Sequence, residues 1–515
     1  MDSRFRYRRT AAASAVALVL ALPGARAVAP ETLVYHSIQT DSAGRIVPWF
    51  SPDPAVAYDH DLRIIWNYWN GLPNCPNGVR YYLQHQVWKP EHDPRGLGGD
   101  QLNMAISSWR LLYDYLGDPA IKADMMRIAD YWLDHGISSP TCKWSNLPYP
   151  YNTDLHSGRY DGDMRAGKGY LQPEKAGEFG AQLVDLYKMT GNGRYLDTAV
   201  RIADTLARTV QPGDGTTSPW PFRVNADTGE VHRVMKSGKT FVASYTSNWT
   251  GALRLFEDLQ ALRKGTPAAY ARTHNIVTAW LKAYPLKTNQ YGPFFEDIPT
   301  DAPSNTETNA DTLAWYILEH PNFDAQYRSL AKGILDWSLA TFGNHQFDRY
   351  HVVPINEQTA YMKPGNSHTS RHASVEIIYG EESGDHALDA DAIARLNWAT
   401  YMVDTDGRNR YPDDDIWLTD GYGDYVRHYL RAMAALPRLA PRDQNHLLRT
   451  TSIVRTITYG PDSITWEKFD SRSDDLLKMG AWAPKRVEGG KMTWDAETKV
   501  LRIAATAKRV TILRN

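Results

Sequence analysis

The chain has 515 residues, 42% hydrophobic and 23% charged, which is an ordinary globular balance and excludes extended disorder. A net charge of −2 provides no basic field for nucleic acid or an anionic membrane surface. Seventeen Trp and thirty Tyr against twelve Phe is the one compositional outlier, and amphipathic aromatics suit either surfaces that stack on polar rings or the packing of helices.

The N-terminus reads as a leader. Arg4, Arg6, Arg8 and Arg9 precede a short apolar run, "TAAASAVALVLAL", too brief to span a bilayer comfortably. Ala25, Arg26 and Ala27 then give the small-x-small pattern of a cleavage site. The expectation is a secretory signal peptide over 1–27, an extension over 28–57, and a protein that is secreted or periplasmic. Cys75 and Cys142 both lie in loop-like sequence, and an oxidising compartment would permit a bond between them.

Helical hairpins follow. "LLYDYLGDPAIKADMMRIADYWLDHG" (111–136) and "LVDLYKMTGNGRYLDTAVRIADTLART" (183–209) share one plan: a helix ending near Tyr, a Gly-containing turn, and a second helix carrying "RIAD". Apolar residues recur at i, i+3, i+4 and i+7 in both halves. Fainter copies begin near 248, 309 and 369. "GYGDYVRHYLRAMAAL" is a final half-copy, with the early helix "DLRIIWNYWNGL" (61–72) as its expected partner. Turns inside each hairpin are short, whereas connections between hairpins are long, and long loops in a compact domain usually carry function. One of these connections, "PWPFRVNADTGEVHRV", reads as a β-hairpin around "ADTG". From about 445 the pattern changes to β-branched residues in alternation, so 441–515 is expected to form a small β-domain that covers one side of the helical part.

The count and style of these hairpins resemble the (α/α)6-barrel superfamily of six-hairpin glycosidases and toroid polysaccharide lyases. The resemblance covers roughly 58–437, which places the barrel domain at 58–440. It implies a mainly α fold, an (α/α)6 barrel with a C-terminal β-domain, and an active-site cleft where the inner helices begin.

Those beginnings are polar: Asp100, Gln101 and Asn103; Glu174, Lys175 and Glu178; Tyr245, Asn248 and Trp249; Glu307, Asn309 and Asp311; Asn366, His368, Arg371 and His372; Asp420, Tyr422 and Asp424. Asp and Asn often cap helices, and Glu suits a first turn, so many of these residues have a purely structural explanation. Gly-Gly beside Asp100, and Gly177 and Gly180 around Glu178, require something more, either a close backbone or a ligand. Glu174 and Glu178 share a helix face, and mutual repulsion would raise one of their pKa values.

Glycoside hydrolysis needs a carboxylic acid and a carboxylate, and Glu178 with Asp420 is the expected pair, with Asp100 and Glu307 as the other candidates. Elimination from a uronate instead needs a cation at the sugar carboxylate and a His or Tyr to take a proton. "GNSHTSRHAS" offers Asn366, His368, Arg371 and His372, with Tyr245, Tyr361 and Tyr422 nearby in the scheme. Cations at a helix start oppose the dipole and need an anion, either a neighbouring carboxylate or an acidic sugar. Catalytic roles are therefore assigned to Glu178, Asp420, His372 and Asp100. Substrate contacts are assigned to Arg371, His368, Asn366, Glu174, Trp249, Tyr422, Asn248 and Gln101.

The function expected is hydrolysis of an acidic glycan. The alternatives are β-elimination, a sugar epimerase or isomerase on the same ring, and a toroid that binds glycan without chemistry. No cofactor is expected, although "PDDDIW" (Asp413 to Asp415) and "DGD" (Asp161, Asp163) could hold Ca²⁺ without matching an EF-hand. The partner is a poly- or oligosaccharide, with no nucleic acid and no membrane once the leader is removed.

Overall fold

In the computed structural model the described residues are 31–84, 98–154, 157–236, 238–294, 304–410, 412 and 422–514, with 422–424 as backbone only. The leader expected over 1–27 lies outside them. Residues Thr32–Asn515 form one compact unit that includes both the helical part and the C-terminal strands.

Twelve principal helices make six hairpins among the described residues: α1 (Pro54–Gly71), α2 (Gly99–Leu116), α3 (Pro119–His135), α4 (Pro173–Thr190), α5 (Gly193–Thr209) and α6 (Thr250–Ala261); then α7 (Pro267–Ala283), α8 (Glu307–Glu319), α9 (Tyr327–Phe342), α10 (Asn366–Ser383), α11 (Asp389–Thr400) and α12 (Tyr422–Ala435). The even-numbered helices touch in the order α2, α4, α6, α8, α10, α12 and back to α2, which closes an inner ring. Each odd-numbered helix packs outside its hairpin partner, and α1 closes the outer layer against α11 and α12. The expected early helix is present but starts at Pro54, where Asp53 caps it and a proline occupies the first turn.

Short turns are capped locally. Asp118 and Asn192 accept from Ala120 N–H and Arg194 N–H to start α3 and α5. Gly117 and Gly191 end α2 and α4 at φ 70° and 77°, the left-handed region that glycine enters without a Cβ penalty. The repeated "RIAD" motif joins neighbouring hairpins in the outer layer. Its first Asp, Asp130, faces Arg194 at 3.8 Å, and its second, Asp204, accepts from Tyr270 Oη at 2.7 Å.

The core lies between the two helical layers, and several tryptophans are there. Trp66 of α1 meets Trp109 of α2 edge-on at 5.2 Å, and Trp132 of α3 meets Phe179 of α4 at 4.4 Å. Pairs of this kind contribute about 0.5–1.5 kcal/mol beyond the area they bury. Trp220, Trp249, Trp280 and Trp398 are also fully buried, so helix packing explains much of the aromatic excess.

The hairpin expected around "ADTG" is present: Val224 pairs antiparallel with Val231, Asn225 N–H donates to Glu230 O at 2.8 Å and His232 N–H to Arg223 O at 3.1 Å. A second hairpin, Arg233–Lys236 with Lys239–Val242, follows it. The C-terminal segment has eight strands: β1 (Asn445–Thr450), β2 (Val454–Tyr459), β3 (Ser463–Lys468), β4 (Ser473–Met479), β5 (Arg486–Glu488), β6 (Gly490–Asp495), β7 (Val500–Ala505) and β8 (Arg509–Leu513). They form two antiparallel sheets, ordered β1-β4-β7-β6 and β2-β3-β8-β5. The strands lie at the short-turn end of the ring: Tyr459 Oη donates to Asp114 O at 2.5 Å, and His446 Nδ1 meets Tyr115 O at 2.8 Å. Cys75 and Cys142 are free thiols, and Cys142 donates to Asp227 at 2.8 Å instead of pairing.

Candidate active site in the barrel lumen

The inner ring encloses a cavity of about 680 Å³ that runs along the barrel axis. Each inner helix turns polar or amphipathic side chains inward: Ser107, Arg110 and Asp114 on α2; Glu174, Glu178 and Asp185 on α4; Arg254 and Asp258 on α6; Thr312, Trp315 and Glu319 on α8; Arg371, Glu381 and Glu382 on α10; Arg427 and Arg431 on α12. The lumen is therefore a chamber of mixed lining, in which these charged side chains alternate with Met104, Leu111, Leu186, Val375 and Leu430.

At the long-loop end the helix caps account for fewer carboxylates than expected. The N-cap positions of α2 and α4 are Gly98 and Gln172, so Asp100 and Glu174 do not fill them. Gln101 turns back to accept from Gly98 N–H at 3.0 Å, and Asp100 accepts from Gln101 N–H at 2.7 Å; neither lines the cavity. Glu174, Glu178 and Asn248 do line it. Lys175 sits 3.8 Å from Glu174 with its ammonium over the Phe294 ring at 3.6 Å. Glu178 faces Arg427 at 3.7 Å, looser than a hydrogen bond.

The glycines around Glu178 admit a backbone. A Cβ on Gly177 would come within 2.8 Å of Ala252 N, and one on Gly251 would come within 2.6 Å of Glu178 Cα. Helices α4 and α6 thus cross in close contact beside the site, which fixes the position from which Glu178 projects. Gly99 similarly makes room for the Trp132 ring at 3.1 Å.

The cations that open α10 are met by buried carboxylates. Arg371 Nη1 donates to Glu307 Oε2 at 2.8 Å and to Thr308 Oγ1 at 2.7 Å, while His368 Nδ1 meets the same Glu307 oxygen at 2.8 Å. His372 is fully buried, with Nδ1 2.6 Å from Asp311 and Nε2 3.3 Å from Glu376. Glu376 is held in turn by Arg395 at 2.5 Å. Burial works to lower the His372 pKa, but the two carboxylates overcome it and hold it up at about 10. With both nitrogens protonated and paired, His372 has no lone pair to serve as a base. Its place is in the wall, as an ion-pair partner.

Sequence reasoning missed His428, on the second turn of α12, because it read only the helix starts. His428 lines the lumen. Ser374 Oγ donates to Arg371 O at 2.8 Å and so accepts from His428 Nδ1–H at 3.3 Å, which makes Nε2 the basic nitrogen. Burial lowers the His428 pKa well below its ordinary value, and the fields of Arg371, Arg427, Arg431 and His368 lower it further. The imidazole is neutral near pH 7.

The remaining expected residues are elsewhere. Asn366 is buried and donates to Asn409 at 2.6 Å. Trp249 is fully buried, packed 5.0 Å from Trp220, and is no platform for a sugar. Tyr245 donates to Gln290 O at 2.6 Å, and Tyr361 is exposed on a strand. Asp420, Asp413 to Asp415 and the Tyr422 side chain lie outside the described residues. Asp163 accepts from Arg165 and Ala166 N–H, Gln172 and Arg223, so it anchors a loop. Among the described residues no group of three or more His, Cys, Asp or Glu side chains is placed to hold a metal ion, and no helix is long and apolar enough to cross a membrane.

No family model and no curated protein matches the sequence. Solved structures do match the fold. Cellobiose 2-epimerase from Spirochaeta thermophila DSM 6192 aligns at 11% identity and a TM-score of 0.54, over 75% of this chain and 96% of that one. Cellobiose 2-epimerase from Bacillus thermoamylovorans B4167 aligns at 14% and 0.53, over 73% and 97%. A D-mannose isomerase aligns at 10% and 0.53, over 75% and 97%. At these identities the likeness establishes the fold: the helical part is an (α/α)6 barrel, and two small antiparallel sheets follow it at the C-terminus.

Proposed function

We propose that this chain is a carbohydrate-active enzyme that cleaves a glycan containing an acidic sugar by β-elimination, with His428 as the general base. The observation that carries this reading is the neutral imidazole of His428, which lines a lumen that also holds Arg371 and Arg427. In the proposed step Nε2 takes the proton on the carbon next to the sugar carboxylate. The electron pair forms a double bond to the adjacent carbon, and the glycosidic oxygen there departs. Arg371 and Arg427, which line the lumen, provide positive charge for the carboxylate and for the enolate-like charge that develops on it. A base of this kind contributes about 10²- to 10⁴-fold to the rate.

The same proton removal followed by return to the opposite face would be epimerisation, the chemistry named for two of the fold neighbours. Hydrolysis is a second reading, favoured by Glu174 and Glu178 lining the lumen one turn apart; it would draw on Asp420 as the partner. Incubation with uronate-containing and neutral oligosaccharides separates the three. Elimination yields new reducing ends together with unsaturated-uronate absorbance. Hydrolysis yields reducing ends without that absorbance. Epimerisation incorporates deuterium from D₂O without cleavage. We expect the first outcome, lost in His428→Asn; full activity in that folded variant would refute the assignment. We further propose export with cleavage after Ala27, which N-terminal sequencing of exported protein checks.

A further inference from the structure

Beyond His428 the lumen continues toward β1 and holds Arg431, which the proposed reaction does not use. Arg431 lies one turn past Arg427, so the two guanidiniums are neighbours on one helix face. Among the described residues Arg431 makes no hydrogen bond and has no carboxylate within ion-pairing distance. Its one specific contact is with Trp315, where its Cζ lies 3.6 Å from the ring centroid. Arg254 rests against the same ring at 4.2 Å. Stacking occupies the flat face of a guanidinium and leaves its N–H edge to donate in plane.

The charges around Arg431 are unevenly balanced. Arg254 is neutralised by Glu319 at 2.6 Å. Arg427 donates to Ser107 Oγ at 2.9 Å and stands 3.7 Å from Glu178, and Arg110 stands 3.7 Å from both Asp114 and Asp185. Among the charges that bear most on Arg431, Arg427, Arg254 and Arg110 repel it and Glu319 favours it. Like charges gathered in an enclosed space of low dielectric repel strongly, and an anion among them removes that cost.

We propose that this part of the lumen is an anion-binding site, with Arg431 as the donor and Trp315 as the plate that orients it. The ligand is a small anion, either inorganic or the acid group of a sugar that has entered the lumen. Binding is measured without turnover, so it stands or falls independently of the reaction assigned to His428.

The test is isothermal titration and thermal melting with chloride, inorganic phosphate and glucuronate, ionic strength being matched with a bulky buffer salt. We expect saturable binding of at least one anion with a rise in Tm. Arg431→Gln should weaken it at least tenfold, while the surface control Arg514→Gln leaves it unchanged. Binding of chloride or phosphate identifies an inorganic occupant, and binding of glucuronate alone identifies the sugar acid. Trp315→Leu, which removes the plate but no charge, should also weaken binding and serves if Arg431→Gln does not fold. No saturable binding in the wild type, or equal binding in both lumen variants, overturns the proposal.

Discussion

Replacing His372 by Gln should damage the fold more than the chemistry. The wild-type imidazolium is fully buried between Asp311 and Glu376, and Glu376 retains Arg395 when the histidine is lost, whereas Asp311 does not gain a partner. Removing one member of a buried pair costs about 3–5 kcal/mol, because the remaining charge is left uncompensated. A second route gives a similar figure. The His372 pKa rises from 6.5 in the unfolded chain to about 10 in the fold, and at about 1.4 kcal/mol per pH decade this is about 5 kcal/mol. The sign follows from linkage: a group whose pKa is raised by folding stabilises fully below its unfolded value and loses that contribution as pH climbs through the folded one. The deficit of His372→Gln should therefore be full at pH 6, shrink above 6.5 and be nearly gone by about 10. Urea unfolding of both proteins at pH 6, 8 and 10, followed by tryptophan fluorescence, measures it. A variant as stable as the wild type at pH 6 that has nonetheless lost turnover would refute this reasoning, since that is how a catalytic histidine behaves.

Two further expectations concern the same ring. Burial lifts the Asp114 carboxyl to about 7, against the pull of Arg110, so the fold is penalised progressively as pH rises from about 4 to 7; Asp114→Asn should stabilise by up to about 4 kcal/mol at pH 8 and by little at pH 4. Thermal melts at the two pH values decide this, and a variant no more stable at pH 8 would contradict it. Gly251→Ala places a Cβ 2.6 Å from Glu178 Cα and should cost about 1–3 kcal/mol by overpacking; an unchanged Tm would mean that the α4–α6 crossing is looser than drawn.

What could be read in advance was what local chemistry dictates. Helical periodicity and turn glycines placed all six inner helices close to their observed starts, because "LGDP" and "TGNG" cap and restart a helix whatever surrounds them. The site was less legible, because it depends on contacts across the ring. "SHTSRH" shows unusual charges, but Glu307 and Asp311, which balance them, lie about sixty residues away on another helix. Trp249 reads equally well as a sugar platform or a core residue until Trp220 is seen against it. His428 was visible in principle: Arg427, His428 and Arg431 form a polar stripe in the otherwise apolar and tyrosine-bearing segment Tyr425–Ala435. The same second face recurs on α2, α4 and α6, and it marks a chamber where solid packing would otherwise be expected.

The ring is held differently at different joints. Between α4 and α6 glycine brings backbone against backbone. Between α6 and α8 contact is sparse, and long side chains span the gap: Arg254 to Glu319 and over Trp315, and Glu257 to Tyr316 and His320. A joint of methylene chains and charged tips yields far more readily than one of packed main chain. Mechanical compliance is thus concentrated on one side, so that a bulky guest would displace α8 outward while α4 and α6 move as one piece. The bore of the barrel is set by residues that point across it, and it can be altered by substitution there without disturbing the helices that frame it.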